Sequence, residues 1–331
     1  MRSVLTPILA LVLALPAMVS AQSLDNSMTN TNPFSVSVTP QYPTPNSQAT
    51  LSFVSTTLDL TNATMTVSRE GKNLYQGSIQ PVTVPLGKAG SVTVLDVTIT
   101  SGGTDYTQTV VIQPEEVTLI AEPISSAPTL YLGKPLVPLE GNTRIVAMAN
   151  FKDAGGKTLD PSTLSYAWTV DGTRIANSSG IGKRVIIVAS PLQYRERSVS
   201  VLVQNQNGSL VGGASLSLNP VEPTVRIYEN DPLLGIRFNR ALSSTYTINQ
   251  SEASLYAAPF SLSSTGGSAL IQWFLNGVVA QTGPSITLRP SGSGKGSASL
   301  SLTASSGGTA EATASLPLTF GAKPSSNLFG L

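Results

Sequence analysis

Cysteine and histidine are both absent from the 331 residues. Without cysteine there is no disulfide, no zinc–thiolate site, no thiol nucleophile and no lipidated thiol. Without histidine there is no imidazole general base, so a Ser-His-Asp arrangement is excluded. Charge is scarce too: charged residues make up 11% of the chain, against about 25% in an average soluble domain. The net charge is +1, and no Lys/Arg cluster stands out that could neutralise phosphates, so no nucleic-acid partner is expected. Few stretches carry the Ala, Leu, Glu and Lys content that helices prefer.

Ser, Thr, Gly, Pro and Val fill the space left by charge. β-branched and hydroxyl residues suit half-exposed strands, and glycine and proline suit the turns between them. Hydrophobic residues reach 40%, enough to give each of two or three domains its own core.

Residues 1–21 read as a secretory signal peptide. Arg2 supplies the positive start, and Val4, Leu5 and residues 8–15 an apolar stretch interrupted by Pro7. Pro16 breaks the helix, and Val19-Ser20-Ala21 forms a small-residue cleavage site before Gln22. No later segment is long and apolar enough to cross a membrane, so no integral span is expected after cleavage. The expected location is periplasmic, cell-surface or extracellular.

The remainder repeats with a period near 105 residues, the distance from Trp168 to Trp273. Ser165-Tyr166-Ala167-Trp168-Thr169-Val170-Asp171-Gly172 recurs as Leu270-Ile271-Gln272-Trp273-Phe274-Leu275-Asn276-Gly277. The first repeat has Val67 at the tryptophan position and Glu70-Gly71 at the turn. Each reads as a strand running into a tight hairpin, with the tryptophan inward and Asp171-Gly172 or Asn276-Gly277 in the turn. Further alternating stretches align at 94–99, 199–203 and 298–302, each followed by a glycine turn and a closing strand. Expected boundaries are 1–21 signal peptide, 22–32 disordered linker, 33–114, 115–220 and 221–321 immunoglobulin-like domains, and 322–331 flexible tail. Seven or so short strands per repeat predict an all-β chain of tandem immunoglobulin-like β-sandwiches.

The pattern Tyr166-x-Trp168-x-x-Asp171-Gly172, with its later Val-x-Val strand and glycine turn, resembles bacterial immunoglobulin-like and PKD-like repeats. It lacks the extra Gly-Asp pair usual in PKD turns and the paired cysteines of antibody-type domains. The whole chain is similar to exported three-repeat proteins of small-genome candidate-phylum bacteria. Shared segments are residues 229–238 and the terminal Leu328-Phe329-Gly330-Leu331. That resemblance implies an envelope or surface location and carries no activity over to any residue.

Candidate sites are few. Gly292-Ser293-Gly294-Lys295-Gly296 fails the phosphate-loop pattern, which needs glycine at Arg289 and Ser or Thr at Gly296. Glu116, Glu222, Glu229 and Asp231 lie near the domain boundaries and are weak calcium candidates, since calcium takes six to eight oxygen ligands. No other metal site, no cofactor and no catalytic residue is expected. Trp168 and Trp273 read as core residues rather than sugar platforms, because their placement repeats. The apolar segments 132–137 and 233–242, with Leu132, Leu136, Val137, Leu233, Leu234, Ile236 and Phe238, read as packing against their own sandwich or the preceding domain, or else as a partner patch. The expected function is non-enzymatic: an exported structural or adhesive protein, a three-domain spacer or docking platform for another envelope or surface protein. A carbohydrate- or peptide-binding module using sandwich-end loops stands second, and a hydrolase accessory last.

Overall fold

The computed structural model describes residues 32–321 apart from 130, 154, 192 and 292–294. The signal peptide, most of the expected N-terminal linker and the C-terminal tail lie outside the described residues. No helix among the described residues is long and apolar enough to cross a membrane.

The strands form six sheets, which pair around three hydrophobic cores. The first pair contains β1 (Ser35–Thr39), β2 (Gln48–Val54), β3 (Thr64–Arg69), β4 (Lys72–Ser78), β5 (Val82–Pro85), β6 (Thr93–Ser101) and β7 (Thr104–Ile112). Its sheets run β1-β2-β5 and β4-β3-β6-β7.

The second pair contains β8 (Glu116–Pro123), β9 (Asn142–Asn150), β10 (Ser165–Val170), β11 (Thr173–Arg174), β12 (Gly180–Ile181), β13 (Val185–Ala189), β14 (Arg197–Gln204) and β15 (Val211–Leu218). Its sheets run β13-β9-β8 and β11-β10-β14-β15, with β12 also on β10.

The third pair contains β16 (Thr224–Asp231), β17 (Gly235–Ile236), β18 (Tyr246–Ile248), β19 (Ala253–Phe260), β20 (Leu270–Leu275), β21 (Val278–Thr282), β22 (Ser285–Leu288), β23 (Gly296–Ser305) and β24 (Glu311–Phe320). Its sheets run β17-β16-β19-β22 and β18-β24-β23-β20-β21.

Setting aside β12, β17 and β18, the connectivity is the same three times. Three strands form one sheet, and the intervening hairpin pair plus the last two strands form the other. This is an immunoglobulin-like sandwich in tandem, all antiparallel except β18 on β24. The cause is the period-two pattern. β6 turns Leu95, Val97 and Ile99 inward, β14 turns Val199, Val201 and Val203, and β23 turns Leu300, Leu302 and Ala304.

Segment 132–137, expected to pack under its own sandwich or against the preceding domain or else to form a partner patch, is divided in the structure. Val137 packs on its own core, Leu132 and Leu136 are exposed, and the flanking Tyr131 and Pro138 reach the following sandwich. The Tyr131 ring meets Phe260 edge-on at 5.4 Å, and Val137 accepts a hydrogen bond from Val221 N–H at 2.9 Å. The reason lies in β8. Its continuation, residues 124–126, pairs antiparallel with residues 261–264, through Ser126 N–H to Leu262 O (2.7 Å), Ser261 N–H to Ser126 O (3.0 Å) and Ser264 N–H to Ile124 O (3.0 Å). That ladder carries the chain toward the third sandwich before it returns to β9.

Candidate functional site

Each tryptophan lies in the strand before the tight hairpin, and both are fully buried. Trp168 Nε1 donates to Lys183 O at 2.7 Å and Trp273 Nε1 to Gly283 O at 2.9 Å, so neither indole N–H is orphaned. No face of either ring is open to a sugar. The turns take positive φ at both positions: 48° and 78° at Asp171-Gly172, 50° and 81° at Asn276-Gly277, and 52° and 76° at Glu70-Gly71. These are the angles a two-residue hairpin needs. Asp171 and Asn276 also do something that turn chemistry alone did not reveal. Asp171 Oδ1 accepts Ser198 N–H at 2.9 Å, and Asn276 Oδ1 accepts Ser299 N–H at 2.8 Å. Each ties its turn to the neighbouring long strand, and Arg197 adds an ion pair to Asp171 at 2.9 Å.

The four calcium candidates are not brought together. Glu116 accepts Asn150 Nδ2 at 3.0 Å. Glu222 accepts Gln193 Nε2 at 3.0 Å and the Tyr194 hydroxyl at 3.3 Å. Glu229 and Asp231 both face Arg237, at 3.7 and 3.2 Å. Asp231 also accepts the amides of Leu233 (2.8 Å) and Leu234 (3.0 Å). Those amide hydrogen bonds, with Arg237 adding a lesser effect, hold its carboxyl below the usual range. A guanidinium therefore stands where the sequence suggested a metal, and among the described residues no three metal-ligating side chains cluster.

The apolar patch divides. Phe238 is half-buried, edge-on to Tyr228 at 5.2 Å and Tyr256 at 6.1 Å, and Ile236 is half-buried beside it. Leu132, Leu233 and Leu234 point outward with 104%, 94% and 73% exposure, and Leu136 with 46%. Asp231 fixes the backbone that presents Leu233 and Leu234.

Among the surface hollows two differ most in polarity. An apolar one of about 530 Å³ lies on β8 and β9, lined by Thr118, Val146, Met148, Pro161 and Arg184. A polar one of about 370 Å³ lies under residues 237–247, lined by Glu229, Arg237, Asn239, Arg240 and Tyr246. Within it the Tyr246 hydroxyl donates to Glu229 at 3.4 Å. Burial, reinforced by the Glu229 carboxylate, raises the Tyr246 phenol. Arg240 has no ion-pair partner among the described residues.

No protein-family model and no curated protein matches the chain. Among solved structures it is similar to the three N-terminal domains of the bacteriophage RB49 Highly Immunogenic Outer Capsid protein. Identity there is 14%, over 87% of this chain and 98% of that one, with a TM-score of 0.24. The central fibronectin-III array of RIM-binding protein matches at 10% identity over 86% of this chain and 95% of that one, with a TM-score of 0.27. The Clostridium thermocellum CbhA fibronectin(III)-like modules match at 12% identity over 62% and 93%, with a TM-score of 0.23. All three superpose loosely, and the fold assignment rests on the strand connectivity.

Proposed function

We propose that this protein is an exported, non-enzymatic spacer or docking platform of the three-repeat envelope group, holding a binding surface for another envelope or surface protein. The observation that supports the reading is the second junction. There the ladder of residues 124–126 on 261–264 and the Glu140 carboxylate on the 309–310 amides tie one sandwich to the next. A spacer needs this continuity between domains. The outward leucines 132, 233 and 234 are the side chains proposed to dock the partner.

A second reading, carbohydrate binding, draws on the polar hollow. Its Glu229, Arg237 and Asn239 offer paired donors and acceptors to sugar hydroxyls, and Arg240 offers a cation without an ion-pair partner among the described residues. Immobilised protein beginning at Gln22 distinguishes the two. Retention of one envelope protein, lost in Leu233→Ser/Leu234→Ser, supports docking. Retention on a glycan resin, lost in Arg240→Ala, supports the second reading. Retention that survives both variants overturns both.

A further inference from the structure

At the first junction one carboxyl group is out of place. Glu115 follows the linker residue Pro114 and is 3% exposed. Its Oε2 accepts the Lys152 N–H at 3.1 Å, and its Oε1 is buried with no partner among the described residues. Lys152 is also where the two sandwiches meet. A Cβ on Gly90 would stand 2.7 Å from Lys152 O and 3.0 Å from Asp153 O. Only glycine, here at φ +76°, admits so close an approach. The Gly90 N–H donates to Pro114 O at 3.2 Å, and Gln113 Nε2 donates to Gly90 O at 3.3 Å. The same residue, Lys152, thus bonds Glu115 through its N–H and backs against domain 1 with its carbonyl.

The surroundings offer a negative charge little support. β15 packs on Glu115 with Gly212, where an added Cβ would lie 3.2 Å from the Glu115 Cβ. That strand carries no charged residue. The charged side chains of β8 and β9 are Glu116, Glu122 and Arg144, and those of the adjoining segments are Lys88, Lys152, Asp153 and Lys157; none of these side chains hydrogen-bonds the Glu115 carboxyl among the described residues. A neutral carboxyl tolerates one hydrogen bond in a dry site far better than a carboxylate does.

We propose that the junction between the first and second sandwiches is a protonation-gated hinge. With Glu115 neutral, the Lys152 backbone is held down and domain 1 seats on it through Gly90. With Glu115 ionised, the carboxylate draws in water, the Lys152 peptide lifts and the seat loosens. Burial, offset only in part by the Lys152 N–H, raises the Glu115 carboxyl to about 7, so the hinge would work near neutral pH. Among the described residues the second junction has no buried carboxyl, and it would not respond near neutral pH. This inference stands on the junction geometry and does not require the spacer reading.

The chain has no cysteine, so Thr104→Cys and Gln206→Cys give two unique, exposed dye positions, one on each side of the hinge. Energy transfer between the dyes, followed from about pH 5.5 to 8.5, should report a wider distance distribution at the alkaline end, with its midpoint near 7. Glu115→Gln should keep the narrow distribution throughout. A pH-independent distribution in the parent, or the same transition in Glu115→Gln, overturns the hinge. If Glu115→Gln does not fold, the side-chain carboxyl carbon resonance of Glu115 in the parent decides. Titration near 7 together with the distance change upholds the proposal, and titration in the ordinary glutamate range overturns it.

Discussion

The two junctions join sandwiches of one topology by different means. The first rests on the missing side chain of Gly90, on Tyr42 lying over Gly213, where an added Cβ would be 2.5 Å from the ring, and on the buried Glu115. The second rests on hydrogen bonds: the short ladder of residues 124–126 and 261–264, and Glu140 reaching Thr309 and Ala310. The sequence repeat aligns Glu116 with Glu222, which predicts similar junctions if successive domains pack alike, but in the structure Glu116 opens β8 whereas Glu222 precedes β16. Glu116 bonds Asn150, and Glu222 bonds Gln193 and Tyr194. The difference teaches that the repeat specifies the sandwich and leaves the joint free to vary. The joint depends on the connection between the first two strands of each unit, which is short at 40–47 in domain 1 and long at 124–141 in domain 2.

The largest expected effect lies inside the sandwiches and sharpens the contrast by isolating what the repeat shares. Trp168→Ala and Trp273→Ala should each destabilise their own domain by about 3–5 kcal/mol in denaturant unfolding. Val67→Ala, at the same place in domain 1, should cost about 2 kcal/mol. Equal costs at the three positions would mean that the tryptophans are not the cores they fill.

The next effect separates the joints by pH. The carboxyl of Glu115 is raised in the folded state from 4.5 to about 7. The folded protein therefore binds the proton more tightly than the unfolded chain does. The stabilisation is fully present below pH 4.5 and is lost as the pH rises through about 7. At about 1.4 kcal/mol per pKa unit, that loss is about 3 kcal/mol. Glu140 behaves oppositely. The Thr309 hydroxyl, with lesser help from the Ala310 and Thr309 amides, lowers its carboxyl, so its contribution is present above the usual glutamate range and is lost in acid. Unfolding of the first two domains, recorded across pH, should show the alkaline loss, and Glu115→Gln should flatten it.

The smallest effect belongs to the second joint. Glu140→Ala should cost about 1 kcal/mol, since the group is partly exposed. Amide exchange at Thr309 and Ala310 should quicken by roughly five-fold, with the core amides of β23 unchanged. Faster exchange throughout domain 3 would show that Glu140 supports the sandwich rather than the joint.

The strands and hairpins could be read from the sequence because their signals are local. Alternation at residues 199–203 and 298–302 shows in the chain itself, as do Asp171-Gly172 and Asn276-Gly277. The joints could not, because they depend on which glycine a distant carbonyl or ring approaches. Glu115 and Glu116 look alike in sequence, yet one is buried and the other exposed. The signal that separates them was available: Glu115 shares the parity of Val117, the first inward residue of β8. The outward leucines were legible as an apolar patch, but their separation from Phe238 depends on the aromatic stack with Tyr228 and Tyr256.

Small-angle X-ray scattering of the protein beginning at Gln22, at about pH 6 and so below the raised Glu115 value of about 7, tests the spacer account most directly. Sandwiches with strands of about six residues at about 3.3 Å each, plus end loops, measure roughly 35–40 Å. Three held in series should give a maximum dimension of roughly 100–120 Å with a single narrow distance distribution. A compact particle, or a broad spread of interdomain angles at that pH, would contradict it.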